Sequence, residues 1–559
     1  MRNILTALLL SALPAMALPQ ITVGGHAVCY DSITGKWLAT VPESMFHKDC
    51  ELAVATGTSA PANTLFRHLH ADSTYTIIVN DTQGQAKEEH LQFTFLPIVQ
   101  LLPPTGTDRS ATSAYFGYEY QPARVLFSHP DSATTDTLTA RIKWRGGTTN
   151  AANKHKRNYK LNLDEDYRFF GLRNDDKWML DAGQPDVFRL RNRMAMDLWN
   201  KMAHKPYYAD QEPKALNGVR GDVVEVFLGN EWKGIYNLSE FIDRKQLKLK
   251  KVDSGTGQIR GCLYKGVSWS KTQMYDFFST YDNSKDTFFG YEFKYPELGD
   301  DSDTIDWAPL IVANNFANSS TDEEFQEHIT DYFDIPVLID YNIFFNVVNA
   351  VDNTGKNMYW AVYDKTETQR LTPTPWDLDA TFGQRWGGRL VYETDEGFCN
   401  SPEFRMDFEL MLTYRMFRDN FNDYLGQMNE RYQLLRLPGQ PLHTDSILDI
   451  VSHYYHALKK SGAASREEAK WSGDSDVWGD AIDFDTEYAY ICDWIRRRMD
   501  FIDQTEFPLF YKKSYFDEQS VHAPTFTHTA TIYDLSGRKL SGIIKPGLYI
   551  RNGRKVIVR

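Results

Sequence analysis

DIPVLIDYNIFFNVVNAVDNTGKNMYWAVYD (334–364) and LTPTPWDLDATFGQRWGG (371–388) carry two hydrophobic periods in close succession. In the first, Ile335, Leu338, Ile339, Ile343, Phe344, Val347 and Val348 recur at helical spacing. Asp334 stands where a cap belongs, and Pro336 falls in the first turn, where its missing N–H costs nothing. The pattern predicts a helix ending near Ala350, before the polar run Asp352-Asn353-Thr354-Gly355-Lys356-Asn357. NMYWAVYD and LTPTPWDLD then read as two strands joined by a charged turn. The order is helix, polar loop, hairpin, acidic loop. It leaves Asp352, Asn357, Asp377 and Asp379 at the ends of elements, where side chains are free to do chemistry.

Phosphoryl transfer needs such a set. A carboxylate takes or orients the accepting hydroxyl, and oxygen ligands hold Mg2+ against the nucleotide phosphates. In protein kinases the first carboxylate and a metal-binding Asn are separated by four residues, and a metal-binding Asp follows. Asp352 and Asn357 have that spacing, and Asp377 and Asp379 follow the hairpin in a W-D-x-D-x-T-x-G context. The spacing alone is common; the whole order is far more specific.

Asn349, Asp352 and Asn357, followed by Trp376, Asp377, Asp379, Thr381 and Gly383, resemble the catalytic region of CotH-type proteins, the spore-coat-related atypical kinases. The likeness extends upstream. Residues 138–163 read as two strands around a basic, glycine-containing loop, in which Arg145, Gly146, Lys156, Tyr159, Lys160 and Leu161 follow the family pattern. The family's Gly-Asn-Ser-Thr-Trp core is replaced there by Gly147-Thr148-Thr149-Asn150-Ala151. Asp181 and Arg191-Asn192 resemble a further stretch. Val224, Val226, Phe227, Leu228, Gly234, Tyr236, Leu238 and Glu240 match a hairpin pattern, here turned at Gly229-Asn230.

The resemblance implies an α+β chain with a divergent, two-lobed protein-kinase-like domain over residues 107–507. It implies ATP and Mg2+ as cofactors and phosphate transfer to a protein hydroxyl. Asp352 would be the base or orienter. Asn357 and Asp377 would hold metal, with Asp379 a supporting or second-metal acid. Lys160 would contact phosphate, with Lys156 competing for that role. Arg145 would add positive charge, and Glu240 would partner a phosphate-binding lysine or simply begin a helix.

Lys and Arg number 61 against 75 Asp and Glu, a net charge of −14, which argues against a nucleic-acid partner. Residues 1–17 read as a secretory leader: Arg2, an apolar run from Ile4 to Leu13, then Ala15-Met16-Ala17. No cysteine follows that cleavage pattern, so a lipid anchor is not expected, and no later run is apolar enough to span a membrane. Residues 18–103 carry short β-branched and aromatic segments broken by Gly, Asp and Asn, a β-sandwich pattern. Cys29 and Cys50 fall in that region and are candidates to pair.

Residues 255–330 show no clear period and read as an insertion with a few helical pieces, and the chain beyond Gly388 turns helical. Trp471 and Trp478 are expected on a loop covering the site. Residues 523–559 form a small β tail whose GLYIRNGRKVIVR hairpin resembles the sorting domains of type 9 secretion in Bacteroidetes-type bacteria. Leader and tail together imply a secreted or cell-surface location on the outer envelope of a Gram-negative cell. The competing function is a non-catalytic surface module that binds a glycan or a protein on a kinase-like scaffold.

Overall fold

The computed structural model describes residues 21–504 except 58, 81–83, 108–111, 152–153, 300, 351, 386–387, 390–409, 419 and 475–480, together with four short strands between Ile532 and Val558. Residues 1–17, read above as a leader, and Cys399, Trp478 and Asn552-Gly553 lie outside the described residues. The architecture is mixed α and β, in two compact units.

The first unit comprises residues 1–142 with 224–234 and 459–466. Two four-stranded sheets share one core built on Trp37, Phe66, Leu91 and Phe93. Strand Tyr75–Asn80 shows the period that builds it: Ile77 and Val79 are buried, while Ile78 between them is 62% exposed. Cys29 and Cys50 lie on strands of different sheets, and both are free thiols. The pairing that their proximity in sequence suggested is not made. Burial pushes the Cys29 thiol up to about 12, so it behaves as a small apolar side chain.

The second unit holds the rest. Strand β1 (Asn158–Tyr167) pairs antiparallel with β2 (Asp175–Asp181), and helix α1 (Arg191–Met202) follows. Strand β3 (Cys262–Gly266) precedes helix α2 (Ile335–Val348), strand β4 (Met358–Val362) and strand β5 (Thr372–Pro375). These strands share a five-stranded sheet in the order Thr287–Phe288, Tyr291–Tyr295, β3, β4, β5. The hairpin register runs from Met358↔Pro375 to Ala361↔Thr372. All five residues of β4 are buried, which is why MYWAV reads as a continuous apolar run rather than an alternating one. Helices follow downstream, among them Phe484–Gln504; helix α3 (Ala463–Trp471) belongs to this unit from Glu467 on.

Helix α2 is buried on every side, not along one stripe. Asp340, Asn342 and Asn346 are buried with the apolar residues. A buried carboxylate needs partners. Asp340 accepts hydrogen bonds from the His204 backbone N–H at 2.6 Å and from Arg431 Nε at 2.8 Å. Asp334 holds the N-cap position but does not cap. Its carboxylate accepts from the Tyr207 N–H at 2.9 Å and the Thr372 hydroxyl at 3.0 Å, tying the helix start to β5. Asn349, left-handed at φ 51, ends the helix as expected.

Besides the helical pieces expected there, residues 255–330 contribute to the sheet. They supply β3, the direct neighbour of the β4–β5 hairpin, and two helices, Ala308–Ser319 and Asp322–Tyr332, the second with a Thr321/Glu324 capping box. Trp471 is the buried last residue of α3 and not a cover on an open loop. Among the described residues no helix is long and apolar enough to cross a membrane.

Candidate functional site

The loop after α2 is fastened before it is functional. The Asn357 N–H donates to the Gly266 carbonyl at 2.9 Å, joining the loop to the end of β3. Gly355 has φ +115, and a Cβ there would stand 2.7 Å from the Thr272 carbonyl oxygen, so only glycine fits. Asn357 is itself left-handed at φ 57, a conformation asparagine tolerates better than other side chains. Its Nδ2 donates to Asp352 Oδ2 at 3.0 Å, and Lys356 Nζ donates to the same oxygen at 2.6 Å. The spacing of four therefore brings the Asn amide directly against the Asp carboxylate. Of the amide's two polar atoms, only the oxygen could serve a cation as a ligand.

The second acidic segment is bound to the first. The Trp376 N–H donates to the Asn357 carbonyl at 3.0 Å as β5 ends. Asp377 then turns left-handed at φ 58. Thr381 donates its hydroxyl to the Leu378 carbonyl at 2.8 Å and closes the loop. A Cβ on Gly383 would lie 2.6 Å from both Trp494 Cδ1 and the Tyr490 hydroxyl. The Thr and Gly of W-D-x-D-x-T-x-G are thus explained by closure and close approach.

Asp352, Asp377 and Asp379 line one cleft of about 620 Å³, joined by Asp181 from the end of β2. The opposing charge comes from Arg145, Lys154, Lys265 and Lys356. Arg145 lies over the Trp376 ring with 5.0 Å to its centroid. Burial, then repulsion from Asp377, Asp181 and Asp352, holds the Asp379 carboxyl well above the usual carboxylate range. Burial raises Asp352 too, against the opposing pull of Lys356 and Asn357. Burial likewise raises Asp181. Acids that repel one another at the floor of a cleft form a site that a cation would relieve.

Asp352, Asp377 and Asp379 do not form a ready-made cage. Among the described residues, the one trio with ligand atoms all within 4.8 Å of one another is Asp166, Asp175 and Asp176. That trio is already engaged by two cations. Lys245 lies 3.8, 2.6 and 2.9 Å from the three carboxylates, and Arg173 Nε lies 2.7 Å from Asp175. An open set of hard oxygen donors suits Mg2+, which keeps waters and takes substrate phosphates alongside one or two carboxylates.

Residues 142–502, more than half of the chain, match the family described as CotH kinase protein. The chain belongs to the CotH kinase protein family. No curated protein matches it. The matched CotH segment contains every residue of the cleft.

Within this CotH segment the sequence-derived residues separate. Arg145, Asp352, Asp377 and Asp379 line the cleft, and Asn357 lies against Asp352. Lys156 is elsewhere: buried, it donates to Glu467 at 2.7 Å and to the Ile235 carbonyl at 2.7 Å. Lys160, on β1, stands over the Phe241 ring at 5.4 Å and is not a lining residue of the cleft. Burial, with Lys177 nearby, pushes its amine down to about 8. Glu240 pairs with Arg220 at 2.7 Å and not with a lysine.

Lys265 was missed. It comes from the segment without a period, and its one signal was the short alternation Leu263-Tyr264-Lys265 before a glycine. In the structure β3 sets it opposite Tyr359, and burial pushes its amine down to about 8 while Asp377 pulls the other way.

Proposed function

We propose that this chain is an Mg2+-dependent phosphotransferase that moves phosphate from ATP to a protein hydroxyl. The observation that carries this reading is the single cleft in which Asp352, Asp377 and Asp379 face Arg145, Lys154 and Lys265. Asn357, Asp377 and Asp379 would hold the metal, which when bound supplies charge neutralisation for the transferring phosphate. Arg145 and the Gly146-Gly147 backbone would cradle phosphate oxygens. Gly146 has φ +109, and a Cβ there would fall 2.2 Å from the Thr149 hydroxyl, so the loop needs glycine. Asp352, its basicity raised by burial, would orient the acceptor hydroxyl and take its proton at a carboxylate oxygen. Lys356 would steady that carboxylate. The leader and tail read from the sequence would send the activity outside the cell, toward an acceptor at the cell surface.

The deciding experiment measures Mg2+-dependent ATP binding and autophosphorylation with purified protein. Nucleotide-independent binding to a glycan array, with no ATP binding at all, would replace the kinase reading with the surface-module one. Lys265 offers a finer test. Lys265→Gln is expected to weaken ATP binding about tenfold, the scale of one lost charge-assisted contact. Lys265→Arg should retain most of the affinity. Equal affinity in wild type and Lys265→Gln, by calorimetry, would remove Lys265 from the phosphate site.

A further inference from the structure

Asp377 is held from both sides by side-chain amides on separate elements. Ahead of it, Asn353 Nδ2 donates to the Trp376 carbonyl at 2.7 Å. Behind it, the Leu378 N–H donates to Asn192 Oδ1 at 3.0 Å. These peptide groups flank Asp377, and their orientations set its φ and ψ. Each amide also has a second bond in the same site. Asn353 Nδ2 reaches the Asn357 carbonyl at 3.3 Å, and Asn192 Nδ2 reaches Asp181 Oδ2 at 2.7 Å. Two of the three residues proposed to hold the metal, Asn357 and Asp377, are left-handed, at φ 57 and 58. Asn and Asp tolerate that conformation better than other residues with a Cβ, but it still costs free energy that contacts to the neighbouring peptide groups offset.

A second observation sets Asn353 apart from ordinary core filling. It is 1% exposed, and its Oδ1 is buried without a hydrogen-bond partner. A smaller residue would avoid that orphaned oxygen. The bonds that the amide does make run through its nitrogen, to the Asn357 and Trp376 carbonyls. Asn192 sits in the first turn of α1, where nothing about helix formation calls for an asparagine.

We propose that Asn192 and Asn353 are positioning residues that fix the backbone on either side of Asp377, so that its carboxylate stays presented to the cleft. The claim about the backbone stands by itself; its consequence for metal rests on the proposed function above. Two measurements separate them.

The first is hydrogen exchange in the full-length protein without metal or nucleotide. Asn192→Ala is expected to speed exchange of the Leu378 amide at least about tenfold, with other α1 and β5 amides unchanged. The second is titration with Mn2+ alone. Asn192→Ala and Asn353→Ser are each expected to weaken binding about 10- to 100-fold, the usual effect of removing a group that orients a ligand. Adding Asn192→Ala to Asp377→Ala should weaken it no further, which a merely structural role would not produce. Asn192 is half-buried, so its alanine variant carries the test even if Asn353→Ser fails to fold. Unchanged Leu378 exchange in Asn192→Ala would overturn the proposal. Faster exchange in a protein that binds no Mn2+ would support the clamp and count against the metal site.

Discussion

Asp377→Ala is expected to lower Mg2+-dependent phosphoryl transfer by at least about two decades, the scale of a lost electrostatic group at a reacting centre, while barely changing thermal stability. The two halves of that expectation come from opposite effects at one position. Alanine is strained at φ 58, at a cost of about 1 kcal/mol. Removing the carboxylate, however, relieves the repulsion that helps hold Asp379 and Asp181 above their ordinary range. A cleft whose acids repel one another has given up stability for function, and loss of one acid returns part of it. Asp377→Asn separates the terms. Asparagine tolerates the left-handed backbone but brings no charge, so its activity should fall as far as that of alanine and its melting temperature should be at or above wild type. Asp352→Ala should show a similar loss of rate. Single-turnover assays with either variant within threefold of wild type would end the kinase reading.

What could be read in advance divides along a physical line. The residues of the Asp352–Gly383 segment were legible because local geometry fixes their relation. Four intervening residues place the Asn357 amide on the Asp352 carboxylate, and a hairpin returns Asp377 to the same end of the sheet. Cations were legible only where they stood in a comparable loop. Arg145 follows a strand into the cleft, as its pattern suggested. Lys156, eleven residues on, has the same chemistry in the text but is drawn into the interior by Glu467, more than three hundred residues away. Lys265 could not be found because three residues of alternation are too short to mark a strand, and nothing local reveals that its neighbour is β4. Asn192 and Asn353 were visible as letters, but their roles depend on contacts with Trp376 and Leu378 that only the fold creates.

Glu467→Ala is expected to be the most damaging single change to stability in the second unit. Lys156 and Arg189, each 1% exposed at the side chain, both donate to Glu467 Oε1 at 2.7 Å, and the Ile235 N–H donates to Oε2 at 2.8 Å. Removing the anion leaves Arg189 a buried charge without its carboxylate and takes from Lys156, whose amine burial pushes down to about 7, the group that favours its protonation; the loss costs about 3–5 kcal/mol. Glu467→Gln keeps an acceptor for Ile235 and should lose less. Burial would raise the Glu467 carboxyl, but Lys156 and Arg189 hold it below the ordinary glutamate value of 4.5. A depressed value means the stabilisation is present above pH 4.5 and is lost as the pH falls through the lower folded-state value. The difference in melting temperature between wild type and Glu467→Gln should therefore shrink on acidification below that point. Lys156→Met completes the argument. With the cation engaged by Glu467 it should alter melting behaviour and leave ATP affinity intact. A folded Lys156→Met protein that has lost ATP binding would return Lys156 to the phosphate site and displace Lys265 from it.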